Sequence, residues 1–312
     1  MNPFPCHAPV RGEDLCDRED PLEAVLAAAG AGRPLAVAGP PGAGVSSLAR
    51  EATARLAGEG LAPVPVSLVT VADAADLEAR LVSALEAAPG RPPARRILVD
   101  DADRLAGTGE DADVREAIAR AGGGPGPLLF GHDGAALLEL LGGADEDVLL
   151  EVGPLPFAAW LPYALERFLE TDVWVSNDQV EAAHRLVGGH PRHLQGLFHE
   201  LWDLAGGRGG RVEDEMLQAA LERVLGRRAR EWRAVWDGLT ANQRRFLRGV
   251  ARAGTEPHPF SSASLERSGL ASASSAQRAA SSLEGRGLLV RTPGGGLRLV
   301  DPLLGRWLAA EP

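Results

Sequence analysis

Gly39, Gly42 and Gly44 lead into Ser46 in the order Gly39-x-x-x-x-Gly44-x-Ser46, and further along two acids, Asp100 and Asp101, end a short apolar run. Glycines at this spacing let successive backbone N–H groups converge on an anion where a helix begins. A hydroxyl two positions after the last of these glycines is placed to ligate Mg²⁺. An acid at the end of a neighbouring strand orders the metal's water shell, and a second acid beside it can activate water for attack on phosphorus. On this reading Gly39, Pro40, Gly42, Ala43, Gly44, Val45, Ser46 and Ser47 line a phosphate, and Ser46 and Asp100 hold the metal. Asp101 is then the candidate catalytic acid. One residue departs from the pattern. The position before Ser46, where a lysine would meet the β and γ phosphates, is Val45. A valine donates no hydrogen bond and carries no charge to offset the one that develops during phosphoryl transfer. The chain contains no lysine at all, so none reaches in from elsewhere, although Arg50 lies on the helix that follows. Two plainer readings stay open. Acids cap helices well at strand–helix junctions, and Asp103 fits that use; the glycine loop can equally serve as a tight turn.

The surrounding pattern sets these residues on a parallel α/β sheet. Leu35–Ala38 is a short apolar strand, and a helix follows from about Ser46 to Leu56. Pro63–Thr70, Arg95–Asp101, Leu128–Phe130 and Val148–Val152 read as further strands, with helices over Asp73–Ala87 and around Ala135–Leu141. A helix with Leu22, Val25, Leu26 and Ala29 on one face precedes the first strand. Strand and helix alternate up to residue 152, the signature of a parallel sheet covered on both faces. From Gly153 the pattern is helical only, with amphipathic stretches at Phe157–Glu170, Ser176–Val187 and Pro191–Ala205. Gly206–Gly210 reads as a flexible joint. The last part predicts a helix over Thr240–Ala253, two short ones near Ser261–Ser268 and Ser272–Leu283, and a hairpin around the glycines of 294–296. Three helices and a hairpin make a winged helix–turn–helix. The expected organisation is therefore an α/β core at 1–153, a helices-only segment at 154–210, and connecting helices with a winged helix at 211–312, its wing at 288–300.

Charge divides along the same lines. Residues 1–210 hold 16 arginines against 32 acids, and residues 211–312 hold 16 against 11. A winged helix sets its third helix in the major groove, and here that helix offers Gln277 and Arg278 for base edges. Arg291 and Arg298 flank the wing for phosphate. The modest positive excess fits a protein partner as well as DNA. Trp232 and Trp236, four residues apart, are expected in a core. No run is long and apolar enough to span a membrane. The N-terminal residues lack the basic-then-apolar order of a secretory signal. Two cysteines make no disulfide framework, so free thiols and a cytoplasmic location are expected.

Several stretches carry a resemblance. Gly188–Leu194, reading Gly-Gly-His-Pro-Arg-His-Leu, looks like the start of a lid helix in the archaeal-type ATPases, of the STAND and initiator (origin-recognition-like) branch of AAA+ P-loop proteins. Asn2–Phe4, Pro9–Val10 and Asp17–Glu19 resemble the lead-in of that family, and Val300–Leu308 resembles the Asp-Pro ending of its winged helix. The resemblance implies a five-stranded parallel core, a lid, a winged helix, and ATP or ADP with Mg²⁺ between core and lid. It implies that Asp101 stands where a catalytic glutamate is usual, and that Arg192 is a lid arginine directed at the γ-phosphate. It sets His132 in the region of a phosphate-sensing polar residue. The function it implies is a nucleotide-gated regulator or adaptor, with hydrolysis weak or absent because of Val45, whose winged helix engages DNA or a protein. The alternatives are a slow ATPase with a compensating arginine, and a DNA-binding regulator that no longer uses nucleotide.

Overall fold

The computed structural model describes residues 1–88, 95–105, 111–122, 126–292 and 294–310. The chain forms two compact units, one of Pro5–Leu155 and one of Met1–Phe4 with Pro156–Pro312. Among the described residues no helix is long and apolar enough to cross a membrane.

In the first unit, α1 (Glu19–Ala31) precedes β1 (Leu35–Ala38), and α2 (Val45–Gly58) follows it. Then come β2 (Ala62–Ser67), α3 (Ala74–Ala87), β3 (Arg95–Asp100), α4 (Asp111–Gly122), β4 (Leu128–Gly131), α5 (Gly134–Leu140) and β5 (Leu149–Glu151). The strands form one parallel sheet in the order β2-β3-β4-β1-β5. Successive side chains of a strand point to opposite faces, so a strand covered on both sides is apolar at every position. In β3 and β4, Ile97, Val99 and Leu129 pack with Leu77, Leu81, Val114, Ile118 and Leu137 of α3, α4 and α5. Leu98, Leu128 and Phe130 face the other way, onto Val25 of α1 and Leu48 and Leu56 of α2. The expected strands are all present, while α4 adds a helix that the sequence reading lacks.

The second unit begins with α6 (Phe157–Leu169), α7 (Asn177–Val187) and α8 (Pro191–Leu204). Ser176 caps α7 with a full capping box shared with Gln179, and Pro191 opens α8 at a position where a missing N–H costs nothing. Phe4 is fully buried here, its ring 4.9 Å from Phe168 and 5.5 Å from Phe198. The glycines at 206–210, expected to be a flexible joint, instead form a hydrogen-bonded turn. Gly209 N–H donates to the Thr171 carbonyl at 3.0 Å, Trp174 N–H to that of Gly210 at 3.0 Å, and Arg208 pairs with Asp172 at 3.2 Å. Positive φ at Gly206, Gly207 and Gly209 explains the composition: the turn needs glycine for its conformation.

A single helix of 24 residues, α9 (Asp214–Asp237), follows. Glu200 of α8 is fully buried and is held by Arg223 and Arg227 of α9. The winged helix then comprises α10 (Ala241–Ala253), β6 (Thr255–Glu256), α11 (Ser262–Ser268), α12 (Ala273–Gly285), β7 (Leu289–Arg291), β8 (Leu297–Leu299) and α13 (Pro302–Ala310). Thr240, Ser261 and Ser272 cap α10, α11 and α12 through side-chain oxygens. The hairpin of β7 and β8 gains a third strand, β6, that the sequence pattern did not announce. Trp232 and Trp236 lie beside Trp307 of α13, at ring separations of 6.1 and 6.5 Å; Trp232 is buried as expected of a core residue, whereas Trp236 is half-buried at its edge.

Asp301 ties these helices together. Its Oδ1 lies 2.6 Å from Nε2 of the buried His193 on α8 and accepts the Leu303 N–H at 2.9 Å, capping α13. Its Oδ2 accepts Arg228 at 2.6 Å and the Trp232 indole N–H at 3.3 Å, both from α9. Burial works against the Asp301 carboxylate, yet the His193 hydrogen bond and the His193 and Arg228 charges outweigh it and hold its pKa below the ordinary range. Burial in turn lowers the pKa of His193 against the pull of Asp301. Each shift means that the unfolded chain binds protons more readily on acidification, so stability falls as pH falls. Asp301→Asn should cost about 3 kcal/mol, the scale for breaking a buried charge pair, read as a lower melting temperature of this unit. Between about pH 7 and 5, where an ordinary histidine titrates, the wild-type melting temperature should fall more steeply than that of His193→Gln.

Candidate phosphate site

The site is built at the carboxyl ends of β1, β3 and β4, the edge of an open parallel sheet where ligands bind in α/β folds. The chain leaves β1 at Ala38, turns through residues 39–44, and enters α2 at Val45. Gly42 and Gly44 have φ of 87° and 99°, left-handed values that L side chains rarely adopt. Gly39 is required for another reason: a Cβ there would lie 2.6 Å from the Val152 carbonyl oxygen. The turn closes with the Ala43 N–H donating to the Pro40 carbonyl at 2.9 Å, and Leu48 N–H donates to Gly44 at 2.9 Å. The N–H groups of Gly42, Gly44, Val45, Ser46 and Ser47 have no acceptor among the described residues. Unsatisfied donors at a helix start, with the positive end of its dipole, suit an anion.

Ser46 and Asp100, the two residues that the sequence reading assigns to a metal, lie in contact. The Ser46 hydroxyl donates to Asp100 Oδ1 at 3.2 Å, across the sheet from α2 to the end of β3. Burial, then the neighbouring charge of Asp101, raises the pKa of Asp100. The charge of a divalent cation would oppose both effects, so the serine hydroxyl and the carboxylate fit a Mg²⁺ ligand and its second shell. Asp101 stands next in line with φ of 57°, an uncommon backbone for a residue other than glycine. Its N–H donates to Asp100 Oδ1 at 3.1 Å. Val45, by contrast, is 3% exposed and packs in the apolar cluster with Leu48, Phe130 and Val152. Ser47 is buried too, its hydroxyl accepting the Val10 N–H at 3.1 Å.

Asp103 does something other than cap its own helix. Its Oδ2 accepts the N–H groups of His132 and Asp133 at 2.8 and 3.0 Å, just past β4. A side chain at Gly131 would overlap this carboxylate. His132 then places Nδ1 3.0 Å from the Gly39 carbonyl oxygen, joining the end of β4 to the start of the loop. Arg18 is a further residue that the chemical motifs leave out. Only its place in the Asp17–Glu19 stretch singled it out. The remaining candidates lie in the second unit: Arg192 is exposed at the start of α8, and Gln277 and Arg278 are exposed on α12. Arg298 is exposed on β8, while Arg291 on β7 pairs with Glu284 at 2.9 Å.

A five-stranded parallel sheet of this order, a glycine loop after its first strand, and a terminal winged helix define the fold of AAA+ P-loop ATPases. Residues 230–310 match a family model described as a probable winged helix domain. No functionally curated protein matches the sequence. Among solved structures, the chain is similar to the Walker-type ATPase PABY2304 of Pyrococcus abyssi, with a TM-score of 0.72 and 14% identity over 98% of this chain and 99% of that one. It is also similar to the RuvB Holliday junction branch migration motor of Thermotoga maritima, with a TM-score of 0.54 and 19% identity over 96% of each chain. A chain of the Drosophila ORC bound to DNA aligns with a TM-score of 0.53 and 15% identity over 98% of this chain and 90% of that one.

The contact between Gly131 and Asp103 yields a direct test. Gly131→Ala should destabilise the first unit by about 1–3 kcal/mol, the usual cost of overpacking. Combined with Asp103→Ala, which removes the carboxylate it strikes, the two losses should fall short of additive in a denaturant-melt cycle.

Proposed function

We propose that this protein binds ATP or ADP with Mg²⁺ at the loop after β1 and acts as a nucleotide-responsive regulator or adaptor, not as a fast ATPase. The observation that carries the reading is the Ser46–Asp100 hydrogen bond beside five loop and helix N–H groups without acceptors. Val45 argues for weak turnover or none. Its side chain is buried among apolar neighbours, and a lysine's charge-assisted contact to the phosphates is missing. Asp101 is then an acid at the attacking-water position of a site that lacks its main cation.

A fluorescent ATP analogue should saturate the protein in the presence of Mg²⁺, and Ser46→Ala should remove the Mg²⁺ dependence of binding. Absence of saturable binding at any Mg²⁺ concentration would overturn the reading. Val45→Lys should tighten binding roughly tenfold or more, since a hydrogen bond to a charged group is worth about 1.5–3 kcal/mol. A thermal melt of the same variant shows whether the buried position tolerates the change.

The winged helix is proposed as the output module, with DNA as its target. Gln277 and Arg278 sit exposed on the helix that such domains set into the major groove, and Arg298 is exposed on the wing. Arg291 is engaged by Glu284, so its contribution to phosphate contact is smaller than the sequence alone suggests. In gel shifts across a salt series, Arg278→Ala should weaken binding, with the loss concentrated in sequence preference. A shift equal to wild type in every salt concentration would favour a protein partner instead.

A further inference from the structure

Arg18 is 5% exposed, yet it is not the partner of a buried acid. Its Nη2 donates to two backbone carbonyl oxygens, those of Ala43 at 3.1 Å and Gly153 at 2.7 Å. Its Nη1 donates to the Asp17 carbonyl at 2.8 Å, and the Asp17 carboxylate, half in solvent, stands off at 3.9 Å. The Nε atom lies 4.0 Å from where a Cβ of Gly44 would be. The guanidinium thus reaches the glycine loop through the carbonyl of Ala43 and also grips the segment leaving β5. Taking a cation out of water is costly, by several kcal/mol even after relaxation, and burial depresses the pKa of Arg18 accordingly. Nothing in the packing of α1 needs a charge at this position, because the apolar face of that helix is made by Leu22, Val25, Ala28 and Ala29.

We infer that Arg18 is a positioning residue for the phosphate loop: its fork fixes the Ala43 carbonyl, so that the neighbouring N–H groups stay free for an anion, and its charge partly replaces the lysine missing at 45. The inference rests on the nucleotide reading for its second half only. A peptide group that gives its carbonyl to a cation is held in one orientation, and the flanking peptide planes are constrained with it. The geometry calls for arginine and not lysine, since one Nη spans two carbonyls while the other holds a third. The rest of the lead-in is bound to α2, the helix that follows the loop. Val10 N–H donates to Ser47 Oγ, and Gly12 N–H donates to Glu51 Oε2 at 3.0 Å.

The test uses the full chain and two readouts. Hydrogen exchange at the Ala43 and Leu48 amides, measured without nucleotide, reports on loop order; titration with Mg-ADP reports on anion binding. Arg18→Gln should quicken exchange at both amides at least tenfold and weaken Mg-ADP at least tenfold, while winged-helix amides keep their wild-type rates. Arg18→Lys, which keeps the charge and loses the fork, should recover part of the affinity but not the protection. Wild-type exchange and affinity in Arg18→Gln would overturn the inference. Quickened exchange in a chain whose wild type binds no Mg-ADP would keep the loop-holding role and overturn the nucleotide reading. If Arg18→Gln does not fold, Arg18→Lys decides: unchanged exchange at Ala43 and Leu48 overturns the clasp.

Discussion

The arrangement of the first unit depends on β1 lying between β4 and β5 in a wholly parallel sheet. Parallel strands bring their carboxyl ends to one edge, so three segments far apart in sequence must finish side by side. The glycine loop leaves β1 there, Asp100 ends β3 there, and His132 follows β4 there. Close approach then dictates residue type. Gly39 passes the Val152 carbonyl too tightly for a side chain, and Gly131 makes room for the Asp103 carboxylate. Neither glycine needs an unusual φ. Their smallness, not their flexibility, is what the sheet edge requires, and this separates them from Gly42 and Gly44, which do adopt left-handed backbone.

Charge at this edge is unevenly compensated. Asp100, Asp101 and Asp103 gather where helix dipole and loop N–H groups favour an anion, and Val45 contributes nothing to balance either sign. The raised pKa of Asp100 is the local expression of that imbalance. The carboxylate is crowded by Asp101 and partly shielded from water, and among the described residues the Ser46 hydroxyl and the Asp101 N–H donate to it.

Much of this was legible in the sequence because the informative signals were local. Strand–loop–helix order around Gly39–Ser46, the acids closing an apolar run at Asp100, and the helix starts at Thr240, Ser261 and Ser272 all rest on signals over a few residues. The features that escaped were non-local or weakly patterned. Helix α4 lies among glycine-rich, polar flanks, and β6 is only two residues long, so periodicity has little to work on. Gly206–Gly210 has the composition of a linker but is pinned by Thr171 and Asp172, residues more than thirty positions earlier. Asp103 read as a cap because its partners, the N–H groups of His132 and Asp133, lie nearly thirty positions later, just past β4. Arg18 carries no sign in its own neighbourhood that it will meet the carbonyls of Ala43 and Gly153.

The second unit shows the same logic with opposite chemistry. Where the first leaves donors open, the second satisfies an acid from several sides. Asp301 collects a histidine from α8, an arginine and an indole from α9, and the first N–H groups of α13. A carboxylate so surrounded is stable with all donors in place, and losing one leaves a buried charge short of partners. The winged helix is therefore joined to the helices before it by a contact that is specific in angle as well as energy. Apolar packing of Trp232, Trp236 and Trp307 supplies area and tolerates sliding, whereas the Asp301 contacts do not. Any shift of α8 must be carried to α13 or must break this contact, so the helices preceding the winged helix and the winged helix itself move as one body or at a definite cost.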